Sequence, residues 1–322
     1  MLPPGEILRA RYEIVSLIGQ GGMGAVYLAT DQRLGGRRCA MKAIRPWADA
    51  DETVTMAIRA QFAQEAAMLA RLDYPALPKV SDYFSTGDHD YLVMDFVPGQ
   101  DLAEVIKEAR RKGRFIPESQ VLNWAEVLCD ALTYLHLQEP PVLHRDMKPA
   151  NIKLTPDGQI KLVDFGLAQS VTLDPNDPRT ITGLRGVGSM PYLSLELYGA
   201  ELAGSDPRAD IYALGATLYH LLTARQPLSA QERFLKPAAF ELPRALNPDI
   251  SPTVERAVLR AMALRPEERP ASAAEFKREL LTGLAPRPPH TESGLAESLH
   301  ANWLLLTLAL LLLVTAVAVT VR

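Results

Sequence analysis

The sequence feature that most constrains this 322-residue chain is the run HRDMKPAN at residues 144–151. The run places a carboxylate, an ammonium and a carboxamide within six positions. These groups belong to Asp146, Lys148 and Asn151. A second acid, Asp164, follows a stretch that turns at Pro-Asp-Gly, residues 156–158, which predicts a short β-hairpin between the two motifs. Phosphoryl transfer requires an acid that orients a hydroxyl and a lysine that neutralises phosphate charge. It also requires an amide and a second acid that bind a divalent metal.

A second motif lies near the N-terminus, where residues 19–26 read GQGGMGAV and fit the pattern G-x-G-x-x-G-x-V. Three spaced glycines are a weak signal alone, because a dinucleotide-binding turn also uses them, but that turn leads into a helix. Here strand-type residues stand on both sides, at 12–18 and 28–29, so we predict that the glycines lie on a β-hairpin. Backbone N–H groups on such a hairpin can approach phosphate oxygens closely.

Together these motifs resemble those of the Hanks-type, eukaryotic-like bacterial Ser/Thr protein kinases, over roughly residues 12–281. The resemblance implies an α+β, bilobal protein-kinase fold, with the kinase domain at residues 12–282 after a lead-in at 1–11. Its N-lobe, residues 12–98, would be small and β-rich with one main helix. Its C-lobe, residues 99–282, would be larger and mostly helical.

The resemblance also implies a role in catalysis for each charged or amide group. Asp146 would accept the proton of a Ser or Thr hydroxyl on a protein substrate, and Lys148 would neutralise the transferred phosphate. Asn151, which is also a catalytic-loop residue, and Asp164 would bind Mg²⁺, with Mn²⁺ as an alternative ion. The implied activity is that of an ATP-dependent serine/threonine-protein kinase.

An ATP site between the lobes is implied as well. Its residues would come from the glycine hairpin, a third strand, a helix and the hinge: Gly19, Gly21, Gly24, Val26, Ala40, Lys42, Glu65, Asp95 and Val97. Lys42 lies between apolar residues of a predicted strand at 38–44, and an ammonium there needs an anion. The implied partner is Glu65, on a helix predicted at 56–72 after an irregular connection, although an exposed helix glutamate is the ordinary alternative.

Three supporting contacts are implied around the catalytic loop. Ser189 would connect the catalytic acid with the catalytic lysine, and Asp210 would brace the backbone of the loop. Glu196 would form an ion pair with Arg269.

Regulation is implied by Arg145, which adjoins the catalytic acid and, as a buried arginine, would need an anion. In the family that anion is a phosphate on the activation loop, which becomes ordered by it. Residues 169–187 have the polar composition of such a loop. Thr180 and Thr182 are the candidate sites of autophosphorylation by position.

Two positions depart from the family pattern without removing a catalytic group. Lys153 stands where an apolar residue usually lies beneath adenine, and Leu195 replaces a proline. The main alternative is a pseudokinase that acts as a binding or scaffold module, but pseudokinases usually lack residues of the Lys42, Asp146 or Asp164 type. A small-molecule kinase of related fold is a second alternative. The family motif at residues 188–196 and the helix pattern at residues 210–215 favour peptide substrates instead.

Composition narrows the possible partners and the cellular compartment. The formal net charge is −4 and no basic stripe interrupts the chain, so we expect no nucleic-acid partner. Cys39 and Cys129 lie in apolar stretches, which indicates buried thiols in a reducing compartment rather than a disulfide or metal site. Residues 1–5 have neither the basic start nor the apolar core of a signal peptide.

The C-terminal stretch differs from the rest, because residues 303–321 contain no charged side chain. Their number, 19, matches the roughly 20 residues that a helix needs to cross a bilayer, so we predict a transmembrane helix over a buried core helix. Residues 283–302 would be a juxtamembrane linker. Since ATP is cytosolic, the kinase domain of this single-pass protein would be cytoplasmic. A homodimer would serve trans-autophosphorylation, although the predicted span lacks a strong small-xxx-small motif.

Overall fold

The structure is a computed structural model. It describes residues 1–21, 24–44, 52–164, 189–198 and 206–282. The predicted linker, the predicted transmembrane helix and the candidate sites Thr180 and Thr182 lie outside the described residues. Within the described ranges, the structure contains no helix that is long and apolar enough to span a membrane.

The small lobe is built on a six-stranded antiparallel sheet with the strand order β1-β2-β3-β4-β6-β5. The strands are β1 (Ile7–Leu8), β2 (Tyr12–Gly21), β3 (Gly24–Asp31), β4 (Arg37–Ile44), β5 (Val80–Thr86) and β6 (His89–Asp95). The glycine motif lies on the β2–β3 hairpin, where Gly21 pairs with Gly24, so that prediction is confirmed. Gly24 has no room for a side chain, since an added Cβ would lie 2.0 Å from the carbonyl oxygen of Ala43.

One helix accompanies this sheet, and its bounds differ from the prediction. Helix α1 runs over Glu52–Leu69, so the start predicted at residue 56 is wrong. The β-branched residues at 53–55 have low intrinsic helix propensity, so the first turn of the helix could not be recognised from the sequence. At the other end, Leu72 donates its amide to the carbonyl of Leu69 at 3.1 Å, so the chain continues as a turn.

The large lobe is mostly helical in its described part. The helices are α2 (Leu102–Arg111), α3 (Glu118–His136), α4 (Arg208–Thr223), α5 (Ala230–Leu235), α6 (Pro243–Leu246), α7 (Pro252–Ala261) and α8 (Ala273–Thr282). Short 3-10 turns occur at Gln32–Leu34, Pro149–Asn151, Met190–Tyr192, Leu195–Tyr198, Pro237–Ala239 and Pro266–Glu268. Helix α4 is buried over most of its length, and α3, α7 and α8 pack around it.

A three-stranded sheet connects the catalytic run at residues 144–151 with the second acid, Asp164. Its strands, in the order β7-β8-β9, are β7 (Gln100–Asp101), β8 (Ile152–Leu154) and β9 (Ile160–Leu162). The predicted hairpin is confirmed, with Gly158 at a φ of 81° in its turn. Because β8 begins one residue after Asn151 and β9 ends two residues before Asp164, the antiparallel pairing places the two motifs side by side.

A single apolar cluster connects the lobes, with Phe62 and Leu92 on the small-lobe side and Leu132 and Ile211 on the other. The α+β, bilobal architecture is therefore confirmed. Cys39 and Cys129 are both buried free thiols, as their apolar surroundings predicted.

Candidate active site

The catalytic loop is held by a buried carboxylate on α4. Asp210 accepts hydrogen bonds from the backbone amides of His144 and Arg145, each at 2.8 Å. Nε2 of His136 lies 3.0 Å from the same carboxylate. Burial acts to raise the pKa of Asp210, but hydrogen bonds from His136 and the loop hold that pKa below its ordinary value. The carboxylate is therefore charged, and the predicted bracing by Asp210 is confirmed.

This bracing holds an unusual backbone conformation at Arg145, which has a φ of 65°. Residues other than glycine rarely adopt this left-handed backbone region, so the two hydrogen bonds to Asp210 compensate for local strain. The side chain of Arg145 is only partly buried, which is less than the sequence indicated. Among the described residues, Arg145 forms no ion pair.

Asp146 and Lys148 form a closed triangle of hydrogen bonds with Ser189. Nζ of Lys148 donates to Oδ2 of Asp146 and to Oγ of Ser189, both at 2.7 Å. Oγ of Ser189 in turn donates to Oδ1 of Asp146 at 2.9 Å. The predicted connection through Ser189 is confirmed, and each oxygen of the carboxylate has a fixed partner.

Asn151 is oriented by the same carboxylate. Its Nδ2 donates to Oδ2 of Asp146 and to the carbonyl oxygen of Asp146, both at 2.8 Å. With the amide nitrogen committed in this way, the amide oxygen Oδ1 is the group that Asn151 can offer to a ligand.

Asp164 lies across from this group and contacts the strand lysine of the small lobe. Its Oδ1 is 3.2 Å from Nζ of Lys42. The charge of Lys42 holds the pKa of Asp164 below its ordinary value, against the effect of burial. Glu65 is partly buried on α1, and its predicted ion pair with Lys42 stays a prediction.

Asn151 and Asp164 together fit a hard divalent cation. They would supply an amide oxygen and an ionised carboxylate, which are the ligand types that Mg²⁺ prefers. Within the described residues, no group of three or more His, Cys, Asp or Glu side chains could hold a metal alone.

Most of the predicted nucleotide residues lie on the strands of the small-lobe sheet. Val26 pairs with Lys42 across β3 and β4, and Ala40 pairs with Met94 across β4 and β6. Gly19, Gly21 and Gly24 lie at the end of the β2–β3 hairpin. Apolar side chains close off the space behind Lys42 and leave a cavity of only about 10 Å³ there.

The predicted hinge residues Asp95 and Val97 differ in their hydrogen bonds. The amide of Asp95 donates to the carbonyl of Lys79 at 2.9 Å, and its carboxylate accepts from Arg37 and from the amide of Lys79. The side chain of Asp95 is thus committed to the protein. The amide of Val97 makes no backbone hydrogen bond with any described residue.

Asp101 and Lys153, near the hinge, lie within ion-pair distance of each other. Asp101 caps α2, because its carboxylate accepts from the amide of Glu104 at 2.8 Å while Glu104 accepts from the amide of Asp101 at 3.1 Å. Nζ of Lys153 lies 4.0 Å from the other oxygen of Asp101. The atypical lysine therefore has an acidic neighbour.

Glu196 and Arg269 form the predicted ion pair, in a bidentate arrangement. The two guanidinium nitrogens donate to the two carboxylate oxygens at 2.6 and 2.8 Å. Arg269 is 2% exposed and also donates to carbonyl oxygens of three other residues. Although burial acts to raise the pKa of Glu196, the arginine holds that pKa below its ordinary value.

A family model for the protein kinase domain matches residues 12–282. This chain belongs to the protein kinase family. The chain is 34% identical over 295 residues to a probable serine/threonine-protein kinase of Streptomyces coelicolor, and the match covers 87% of this chain. It is 35% identical over 285 residues to the serine/threonine-protein kinase PrkC of Bacillus subtilis, covering 86% of this chain. The chain spans 41% of the length of each of these two relatives.

The kinase domain also matches solved structures. The PknI kinase domain of Mycobacterium tuberculosis superimposes with a TM-score of 0.67 at 29% identity, over 88% of this chain and 99% of that one.

Two features of the kinase domain were missed from the sequence. His136, which contacts Asp210, looked like an ordinary helix residue. His220 on α4 lies with Nδ1 2.7 Å from the hydroxyl of Tyr192. Burial raises the pKa of Tyr192 to about 12, while burial and the charge of Arg110 lower the pKa of His220 to about 4, so both groups are neutral at pH 7. No sequence spacing signals either contact, because each joins distant segments.

Proposed function

We propose that this chain is a serine/threonine-protein kinase that transfers the γ-phosphate of ATP to Ser or Thr hydroxyls of proteins. One observation carries the proposal: the hydrogen-bonded group of Asp146, Lys148, Asn151 and Ser189 adjoins the Lys42–Asp164 pair. A hydroxyl-orienting acid, a cation for phosphate and two oxygen ligands for a metal are thus present in one cleft.

Asp146 is the proposed proton acceptor. Its two oxygens are fixed by Lys148, Ser189 and Asn151, so the carboxylate has one orientation before a substrate arrives. Such preorganisation is where a protein contributes most in phosphoryl transfer, since placement and charge compensation carry the rate. Lys148 is close enough to Asp146 to place a positive charge beside the transferred group.

Asn151 and Asp164 are the proposed ligands of Mg²⁺. When bound, the ion would neutralise phosphate charge. Asp164 would remain ionised for this role at neutral pH, because the charge of Lys42 favours its carboxylate form.

ATP is the proposed phosphate donor, bound by the hinge, the glycine hairpin and Lys42. Its adenine would contact the backbone of Asp95 and Val97 and pack against Val26 and Ala40. The glycine backbone and Lys42 would hold the phosphates, and the proposed Glu65–Lys42 pair would fix the lysine. Lys153 would pack by its alkyl chain beneath the base while its ammonium faces Asp101.

We further propose regulation and location for the full chain. Autophosphorylation at Thr180 or Thr182 would supply the anion for Arg145, and a homodimer would allow this to occur in trans. Residues 303–321 would span the membrane once, with the kinase domain in the cytoplasm. The 19 uncharged residues and the cytosolic location of ATP support this orientation.

The test of activity is phosphate transfer from radiolabelled ATP to the protein itself and to a generic protein substrate, followed by phosphoamino-acid analysis. The wild type should form phosphoserine or phosphothreonine. Lys42→Ala should reduce the rate at least about a hundredfold, because it removes a phosphate-binding cation. Lys79→Ala, at an exposed lysine paired with Asp73, is the matched control. Wild-type protein that binds ATP without transferring phosphate would favour the pseudokinase alternative.

A further inference from the structure

The C-terminal half of α2 and the turn after it carry a concentrated positive charge. Residues 107–114 read KEARRKGR and contain five cations and one acid, in a chain whose formal net charge is −4. The single acid, Glu108, is paired with Lys112. The four remaining cations are all exposed and form no ion pair with a described residue. We call these residues the α2 basic cluster: Lys107, Arg110, Arg111 and Arg114.

A series of contacts connects this cluster to the proposed active site. Helix α2 packs against α4, and the charge of Arg110 acts on His220 of α4. His220 contacts the hydroxyl of Tyr192 at 2.7 Å. Tyr192 follows Ser189 by three residues, which span at most about 11 Å, and Ser189 donates to Asp146. The cluster therefore lies at the end of a helix that packs against both α4 and the catalytic-loop turn Pro149–Asn151.

None of the acids on α2 itself or on the described elements that pack against it forms an ion pair with this cluster. Asp101 and Glu104 cap α2, with Asp101 also 4.0 Å from Lys153, and Asp210 contacts His136 and the amides of the catalytic loop. His220 is uncharged at pH 7, and Ala150 contributes no charge in the catalytic loop. The four cations of the cluster thus have no ion-paired acid among the described residues.

Resting on the proposed function, we propose that the α2 basic cluster binds acidic side chains of the protein substrate, so that this kinase prefers Ser or Thr residues flanked by Asp or Glu. An extended peptide advances about 3.3 Å per residue, so flanking side chains reach surfaces well outside the catalytic loop. Complementary charges at an exposed rim act mainly on encounter and selectivity, and salt weakens them. The preference is therefore expected in kcat/KM and should decline with ionic strength.

The test uses the full-length protein and two peptides that differ only in carrying Glu or Gln on both sides of one Thr. The wild type should phosphorylate the Glu peptide with a kcat/KM about five- to tenfold higher, as expected for a few exposed charge pairs. The variant Arg110→Gln/Arg114→Gln should bring this ratio close to one. The control Arg256→Gln/Arg265→Gln removes the same charge at two exposed arginines that pair with no described residue, and it should keep the wild-type ratio.

Several other results would overturn the inference, and they can be distinguished from one another. A wild type without Glu preference, or a double variant that keeps the preference, would overturn the inference while leaving the kinase activity in place. Loss of binding to phosphatidylserine vesicles in the Arg110→Gln/Arg114→Gln variant, with the Glu preference intact, would make the cluster a membrane contact and also overturn it. A folded wild type that phosphorylates neither peptide nor itself would overturn the proposed function and, with it, this inference.

Discussion

At the scale of single residues, the candidate site depends on a few carboxylates with committed partners. Asp210 fixes the backbone of the catalytic loop, Asp146 is held by three side chains, and Asp164 contacts Lys42. A buried carboxylate is costly unless it is paired and hydrogen-bonded, so these partners both stabilise the loop and set its geometry. The residue types and spacing of the motifs predicted Asp146 and Asp164, whereas the role of Asp210 followed from the resemblance to the kinase family.

His220 gives a prediction about pH at this scale. Its folded-state pKa of about 4 is lower than the ordinary value of 6.5. Between these values the unfolded chain takes up a proton that the folded chain does not, so stability from this group is lost as pH falls below about 6.5. His220→Gln should therefore reduce the decline in the free energy of unfolding between about pH 6.5 and pH 5. Urea unfolding across this range measures it, and an unchanged slope would contradict the assignment.

At the scale of secondary structure, alternation and turn residues predicted strands β2, β3, β4, β8 and β9, whereas the two-residue strands β1 and β7 were not predicted. The glycine hairpin and the hairpin at 156–158 appear where the sequence indicated them. Helix α1 was less accurate, because β-branched residues at its first turn gave a weak local signal and the rest of the fold decided its start. Contacts such as Tyr192 with His220 could not be predicted, since they depend on how distant elements pack.

The two glycines of the hairpin should respond differently to alanine. A Cβ at Gly24 would meet the carbonyl oxygen of Ala43 at 2.0 Å, whereas a Cβ at Gly19 would lie 3.7 Å from Val26, an ordinary contact. Gly24→Ala should lower the free energy of unfolding by about 1–3 kcal/mol, because β3 and β4 must separate locally. Gly19→Ala should cost less than about 1 kcal/mol. Denaturant unfolding compares the two, and equal losses would argue against close packing of β3 on β4 at Gly24.

At the scale of the whole molecule, the sequence predicted a bilobal kinase domain, and the fold and family match agree with it. The ion pair of Glu196 with Arg269 inside the large lobe was also predictable, because family motifs supply both partners. The α2 basic cluster was overlooked: the expectation that no basic stripe interrupts the chain is wrong at residues 107–114, because the mild net charge of the chain conceals a local excess of cations there.

Membrane attachment is the prediction that belongs to this scale. The full chain should sediment with membranes and stay there after alkaline carbonate washing, because a span of 19 uncharged residues resists extraction. A chain ending at residue 302 should appear in the supernatant. Recovery of the full chain in the carbonate supernatant would contradict the proposed transmembrane helix.

The most direct test of the central claim is the rate of phosphate transfer by Asp146→Asn. This change keeps the shape of the side chain but removes the proton acceptor and the charge that orients Lys148 and Ser189. We predict a loss of at least about a hundredfold in kcat, with nucleotide binding and thermal stability close to wild type. Asp157→Asn, at an exposed turn residue, should transfer phosphate at the wild-type rate. A folded Asp146→Asn protein with wild-type kcat would contradict the assignment of the active site.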